Sequence, residues 1–332
     1  MSGRPLVARY LGYTKDTENH GDEALIWIIR DLLAPEIDVK IGCEEFDIAL
    51  LGGGTLINQS PWLIDEFASH LDRARLGVVF GTGVGDLAFW GNHFDRWRPL
   101  LNRCGFVGVR GPHSQSLLMD HEVEKGQVVG DPYLWLKSPV ERDPIPKRLC
   151  VNIGRTNDSL WGGTDRDLLD FIAAALLQLK GEGWSFYWIS VWGKDIDFVQ
   201  ELRQRVDPHS NPILDARDQP LETFSALAGS ELFLGEKLHA NAMAAVAGTP
   251  FVALEYQPKV RDFAASLGME DWVVSTAERD VESLLNRIHS LRAERDSAQS
   301  KMIENRNNVR NRLNQFSNEI KVDVFHLEED GP

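Results

Sequence analysis

The sequence predicts an α/β fold of two doubly wound parallel-sheet domains, and three observations carry that expectation. Short apolar runs alternate with amphipathic stretches along most of the chain. The runs lack polar alternation, which suits strands buried on both faces. Near the middle, Ser138–Lys147 interrupts the rhythm with three prolines and four charged residues, and the alternation restarts after it. The length agrees, since 332 residues exceed the roughly 150 of an average domain.

Leu6–Leu11, Phe46–Leu51, Leu76–Phe80, Gly105–Val109 and Gln127–Val129 read as the strands of the first domain. Leu149–Ile153, Ser185–Val191, Leu232–Leu234, Phe251–Glu255 and Trp272–Val274 read as those of the second. Between them, Asp22–Leu33 places Leu25, Ile28, Ile29, Leu32 and Leu33 on one helical stripe. Asp165–Leu179 repeats the pattern with Leu168, Leu169, Ile172, Leu176 and Leu179. Strand and helix alternation gives βαβ units, hence helices on both faces of each sheet. The expected layout is a first domain over 1–137, a linker over 138–147, a second domain over 148–320 and a tail over 321–332. Two such halves would face a cleft, each binding ligand at the carboxyl ends of its strands. Glu278–Ile320 is highly charged and lacks proline and glycine, so it reads as one or two long helices. Whether those helices return to the first domain or pair between subunits of a homo-oligomer stays open at this level.

Composition narrows the function. Hydrophobic residues at 43% and charged residues at 26% supply a globular core. Basic residues number 35 against 50 acidic ones, a net charge of −15. That balance argues against nucleic acid or anionic lipid as the main partner, while permitting a local basic pocket. No apolar run approaches the roughly 18 residues that span a bilayer, and no leader pattern opens the chain. Cys43, Cys104 and Cys150 are too dispersed for a disulfide framework or a metal knuckle. The expectation is a cytoplasmic protein, with peripheral attachment at the inner membrane face left open.

Two glycine-rich turns are expected after strands: Gly52-Gly53-Gly54 and Gly81-Thr82-Gly83-Val84-Gly85. Glycine lets backbone N–H groups approach a phosphate or carboxylate closely. Their spacing fits neither the nicotinamide fingerprint nor a P-loop, and tight packing turns are the competing reading. Asn19-His20-Gly21-Asp22-Glu23 sits at the start of the first helix, where the carboxylates either cap the helix or bind and deprotonate sugar hydroxyls. Arg110 leaves a strand beside a proline-initiated helix. It is placed there to grip an anion, unless it simply pairs on the surface. Lys237 and His239 follow one strand, with Glu255 and Lys259 at the end of the next. Two ammonium groups and an imidazole together suit a phosphorylated acid that needs charge neutralisation and a proton. Asp165-Arg-Asp167 and Asp195-Ile-Asp197 look like metal pairs but start helices, where aspartate is favoured for capping.

In order, N-x-G-D-E, L-G-G-G-T, the G-x-G turn, V-R-x-x-x-S, Val129–Pro132 and G-x-K-L-H-A…P…Y-x-x-K resemble the polysaccharide pyruvyl transferase family over about residues 10–270. The resemblance implies two Rossmann-like domains facing a cleft, as in many GT-B glycosyltransferases. It implies phosphoenolpyruvate as donor and a saccharide hydroxyl pair as acceptor, lipid- or nucleotide-linked or free. The products are a pyruvate ketal and phosphate, and the reaction needs no metal or redox cofactor. Lys237-Leu238-His239 matches the family's R-L-H, lysine standing where arginine is usual. Arg110 and Lys259 match the other donor-binding cations, and Gly53, Gly54 and Gly83 lie in the matched glycine motifs. His239 has the only ordinary pKa near neutrality in this set, which makes it the expected proton donor to the CH2 carbon. Asp22 is the expected partner of the acceptor hydroxyl, with Asn19 and Glu23 beside it. A nucleotide-sugar glycosyltransferase using Glu255 for a ribose, and a non-catalytic carbohydrate-binding relative, are the alternatives.

Overall fold

The computed structural model describes residues 5–13 and 19–329, with side chains through Val324. The chain divides into two units. Unit 1 comprises residues 1–17, 22–135 and 307–332; unit 2 comprises 18–21 and 136–306.

In unit 1 the strands are β1 (Leu6–Leu11), β2 (Ile37–Lys40), β3 (Ile48–Gly52), β4 (Thr55–Ile57), β5 (Leu76–Val84), β6 (Phe106–Val109) and β7 (Gly126–Val128). Its helices are α1 (His20–Leu33), which begins in the short segment grouped with unit 2, α2 (Leu63–Arg73), α3 (Leu87–Trp90), α4 (Phe94–Arg103) and α5 (Pro112–Asp120). All pairings are parallel in the order β2-β1-β3-β5-β6-β7, with β4 beside β5. The direction of winding reverses between β1 and β3. Every residue of β3 and β5 is buried, as the absence of polar alternation requires.

Unit 2 contains β8 (Ile145–Asn152), β9 (Ser185–Ser190), β10 (Ile213–Asp215), β11 (Ser230–Gly235), β12 (Phe251–Glu255) and β13 (Val273–Ser275). Its helices are α6 (Asp165–Gly181), α7 (Ile196–Val206), α8 (Pro220–Ala228), α9 (Leu238–Ala247), α10 (Pro258–Ser266) and α11 (Val281–Ala293). A last helix, α12 (Arg295–Glu329), belongs to unit 2 through Arg306 and to unit 1 from Asn307. The parallel order β10-β9-β8-β11-β12-β13 is the doubly wound order, with its switch point between β8 and β11. Ligands of such sheets bind outside the carboxyl ends at that point. Among the described residues no helix is long and apolar enough to cross a membrane.

Several expectations change. Strand β5 runs through Gly81–Val84, where a turn was expected, because Thr82 pairs with Val109 and Gly83 with Thr55. Gly81, at φ 64°, supplies only a bulge within the strand. The linker ends early, since Ile145 already pairs with Ser230. The expected tail over 321–332 is helix through Glu329. Strands β2, β4 and β10 escaped the sequence reading: β2 alternates buried and exposed residues, and the other two span three residues each.

Candidate functional site

Unit 2 builds its site at the switch point from the loops after β8, β9, β11 and β12. Asn152, the last residue of β8, fastens three of these strand ends. Its Nδ2 donates to the Ile189 carbonyl at 3.1 Å, its Oδ1 accepts from Lys237 N at 3.1 Å, and its carbonyl accepts from Glu236 N at 3.1 Å. The chain after β11 is therefore held with Lys237 extended (φ −68°, ψ 135°) just before α9. No side chain caps α9, and a helix N-terminus attracts negative charge.

Lys237 is buried in this frame. Its Nζ donates to the Arg155 carbonyl at 2.8 Å and lies 3.9 Å from both Asp195 Oδ2 and Glu236 Oε1. The ammonium also sits 5.7 Å from the Trp192 ring centroid and 5.1 Å from that of Tyr256. Lys259 approaches the same Tyr256 ring at 5.1 Å. Tyr256 thus gathers the two lysines that the sequence reading placed together.

The carboxylates around Lys237 were not foreseen as site residues. Glu236 is wholly buried and accepts from Gly154 N at 2.8 Å; Asp195, equally buried, accepts from Arg155 N at 2.8 Å. Burial pushes Glu236 up to about 7 and Asp195 up to about 6, with Lys237 opposing both shifts. Protonation near neutrality therefore relieves part of the negative charge around Lys237. Gly154 has to be glycine here, because a Cβ would lie 2.1 Å from Lys237 Cε. The helix-start reading holds for only part of the two aspartate pairs. Asp167 forms a capping box with Thr164. Asp165 instead accepts from the backbone of Thr156 and Asn157, and Asp195 turns toward the lysine.

His239 lies in the first turn of α9, buried against Gly21. A Cβ on Gly21 would fall 1.9 Å from His239 Cγ, so the backbone of the N-x-G-D-E motif lies on the imidazole. Gly21 is set there by His20 N donating to the Val191 carbonyl at 2.9 Å and by the Asn19 bridge to Trp192. Asn19 Oδ1 accepts from Gly21 N at 3.1 Å. The motif's glycine, which the sequence reading passed over, is the residue that meets the histidine. Leu238 is buried beside it.

Glu255 is engaged by Arg261, whose Nη2 donates to Oε2 at 2.7 Å and whose Nε reaches both carboxylate oxygens. The carboxylate that the glycosyltransferase alternative assigns to a ribose is thus held in an arginine fork.

In unit 1 the expected residues group around Arg110. It is 1% exposed rather than on the surface. Its Nη1 donates to Thr55 Oγ1 at 3.0 Å and to the Gly54 carbonyl at 3.3 Å. Gly53 and Gly54 are left-handed, at φ 72° and 66°. The amides of Gly53 and Gly83 donate to the carbonyls of Phe80 and Gly54 at 3.2 and 2.8 Å, so they serve the sheet rather than an anion. Gly83 makes room for Arg110, whose Nη2 would lie 2.2 Å from a Cβ there. Gly83→Ala should therefore displace the guanidinium and lower stability by about 1–3 kcal/mol, as overpacking does. An unchanged urea midpoint would contradict that packing role. Asp22 and Glu23, half-buried, occupy the first turn of α1. The Asp22 charge acts on Tyr10 and Tyr13, whose phenols burial raises above their ordinary range.

The comparisons agree with this architecture. A glycosyltransferase of kitacinnamycin is 10% identical, with TM-score 0.59, covering 97% of this chain and 100% of its own. A putative UDP-N-acetylglucosamine 2-epimerase from Listeria monocytogenes is 11% identical, with TM-score 0.57 and 98% of each chain covered. A UDP-glucosyltransferase from Polygonum tinctorium is 10% identical, with TM-score 0.54, covering 98% of this chain and 100% of its own. At such identities the likeness is one of fold alone, a GT-B-like chain with two parallel-sheet α/β units. No curated protein matches the sequence. A family model described as polysaccharide pyruvyl transferase matches residues 9–258. That span takes in the N-x-G-D-E glycine, the Arg110 seat and the Lys237-Leu238-His239 turn alike, and the chain belongs to the polysaccharide pyruvyl transferase family.

Proposed function

We propose that the protein transfers pyruvate from phosphoenolpyruvate to a pair of hydroxyls on a saccharide, forming a ketal and releasing phosphate. The observation that carries this reading is the switch-point turn of unit 2. There a buried lysine and a histidine open an uncapped helix, and a second lysine shares the Tyr256 ring.

His239 donates a proton to the CH2 carbon of the donor. The double-bond electrons form that C–H bond and leave the adjacent carbon electrophilic. One acceptor hydroxyl adds to that carbon and loses its proton. The carbon–oxygen bond to phosphate then breaks with its electron pair, and the second hydroxyl closes the ketal as it too loses its proton. Of the two hydroxyl protons, one restores His239 and the other leaves on the phosphate. Lys237 and Lys259 offset the donor's carboxylate and phosphate charge. Asp22 receives or orients the acceptor hydroxyl proton, with Asn19 and Glu23 as neighbours. Arg110 enters as a donor-binding residue on the family resemblance, alongside its packing role in unit 1.

The test is a thermal-shift panel of phosphoenolpyruvate, UDP-glucose, ATP and NAD. Phosphoenolpyruvate at 100 times its dissociation constant should add about 2.7 kcal/mol of stability, and the others nothing. A larger shift with UDP-glucose would move the protein to nucleotide-sugar chemistry.

A further inference from the structure

A pair of loops in unit 1, at the carboxyl ends of β4 and β5, takes no part in the proposed chemistry. The first, residues 58–62, carries Trp62, which is 61% exposed. The second, residues 85–93, carries α3, with Leu87, Phe89 and Trp90, none of them buried. The Phe89 and Trp90 rings meet edge to face with centroids 4.9 Å apart. An exposed tryptophan beside a half-buried aromatic pair on two adjacent loops is the kind of patch a partner surface can cover.

The loops are held in place. Asn58 is wholly buried in the left-handed region (φ 60°), which asparagine tolerates better than most residues. Its Nδ2 donates to the Gly85 and Gly91 carbonyls at 2.8 and 2.9 Å, and its Oδ1 accepts from His93 N at 2.7 Å. The two ends of the aromatic loop are thereby pinned to the turn that carries Trp62. Gly85 donates to the Ile57 carbonyl at 2.8 Å and lies so close to Gln59 that a Cβ would come 2.8 Å from its amide nitrogen. The rings are preorganised.

Two further observations indicate what occupies this place. Gln59 Oε1 is buried there without a hydrogen-bond partner, which is costly unless a ligand donor meets it. The turn is also continuous with the proposed acceptor carboxylate. Ser60 Oγ lies 3.5 Å from the Tyr13 hydroxyl, and Tyr13 feels the charge of Asp22.

We infer that loops 58–62 and 85–93 form a saccharide subsite for the acceptor. Trp62 and Trp90 stack on sugar rings, and Gln59 accepts a hydroxyl hydrogen bond. Sugars present an apolar face of C–H bonds beside a rim of hydroxyls, and an aromatic with a polar tip beside it suits both. The assignment rests on the proposed transfer to a saccharide, but it concerns binding that needs no donor.

The full chain, with Trp62→Ala, Trp90→Ala and Gln59→Ala variants, is to be applied to an array of immobilised mono- to tetrasaccharides. Phosphatidylcholine vesicles and the phosphoenolpyruvate thermal shift run in parallel. The expected result is saccharide binding that falls at least tenfold in both tryptophan variants and less in Gln59→Ala, with the phosphoenolpyruvate shift unchanged. Absence of saccharide binding by the native chain, or equal binding by all four, overturns the inference. So does vesicle binding that the tryptophan substitutions abolish. Tryptophan-dependent saccharide binding without any phosphoenolpyruvate shift would sustain the subsite while overturning the donor reading.

Discussion

Replacing His239 by glutamine should lower phosphate release from phosphoenolpyruvate by about 10²- to 10⁴-fold, the range general acid catalysis supplies. Glutamine retains most of the size and the hydrogen-bonding capacity, but it cannot deliver a proton at neutral pH. The imidazole is confined between the first turn of α9 and the backbone at Gly21, where a Cβ would come within 1.9 Å of Cγ. A side chain so restricted suits proton delivery, because little reorientation remains to be lost in the transition state. Donor affinity should change far less, since Lys237 and Lys259 stay beside Tyr256. Phosphate release under donor titration, with an accepted saccharide, separates the two effects. Turnover near that of the native chain would reduce His239 to an orienting residue.

Much of this site could be read in the sequence because its cations follow strand ends. A strand ending in a short loop before a helix fixes where the loop's side chains lie, so Lys237, His239 and Lys259 were placed by periodicity alone. Their counter-charges were not. Asp195 reads as one of many helix-starting aspartates, and only the pairing of β8 with β11 brings the loop after β9 to the lysine. That crossover is a long-range property with no local signature. Arg110 is a different case. Its strand-end position suggests an anion grip or a surface pair, and its burial, which excludes the surface pair, depends on the missing side chain of Gly83, which local sequence does not reveal. The glycines within β5 misled for the same reason. Glycine allows a turn, but it equally allows a bulged strand that lets a guanidinium pass. Strand β2 was lost because Ile37-Asp-Val-Lys40 alternates over only four residues, too few to separate from loop.

The other large effect concerns Lys237 and is chiefly one of stability. Substituting methionine keeps most of the stem but leaves Asp195 and Glu236 buried with no ammonium 3.9 Å away. Breaking a buried ion pair from one side costs about 3–5 kcal/mol, because the remaining charge is uncompensated. The loss must depend on pH. In the native chain burial already raises Glu236 to about 7 and Asp195 to about 6. A carboxyl whose folded pKa lies above its unfolded value stabilises the fold below the unfolded value. That contribution is lost as pH rises through the folded one. The native chain should therefore lose stability, on the order of a few kcal/mol, between about pH 4 and pH 7 from this pair. Without Lys237 both carboxyls retain their protons to higher pH. Lys237→Met should accordingly be mildly destabilised at pH 5 and severely at pH 8. Glu236→Gln preserves an acceptor for Gly154 N–H but cannot ionise. Alone it should flatten the pH dependence, and combined with Lys237→Met it should restore part of the stability lost at pH 8. Urea midpoints for the four proteins at both pH values decide the matter. Parallel losses at pH 5 and pH 8, or no recovery in the double variant, would show that Lys237 is held by packing against Trp192 and Tyr256 rather than by the buried carboxylates.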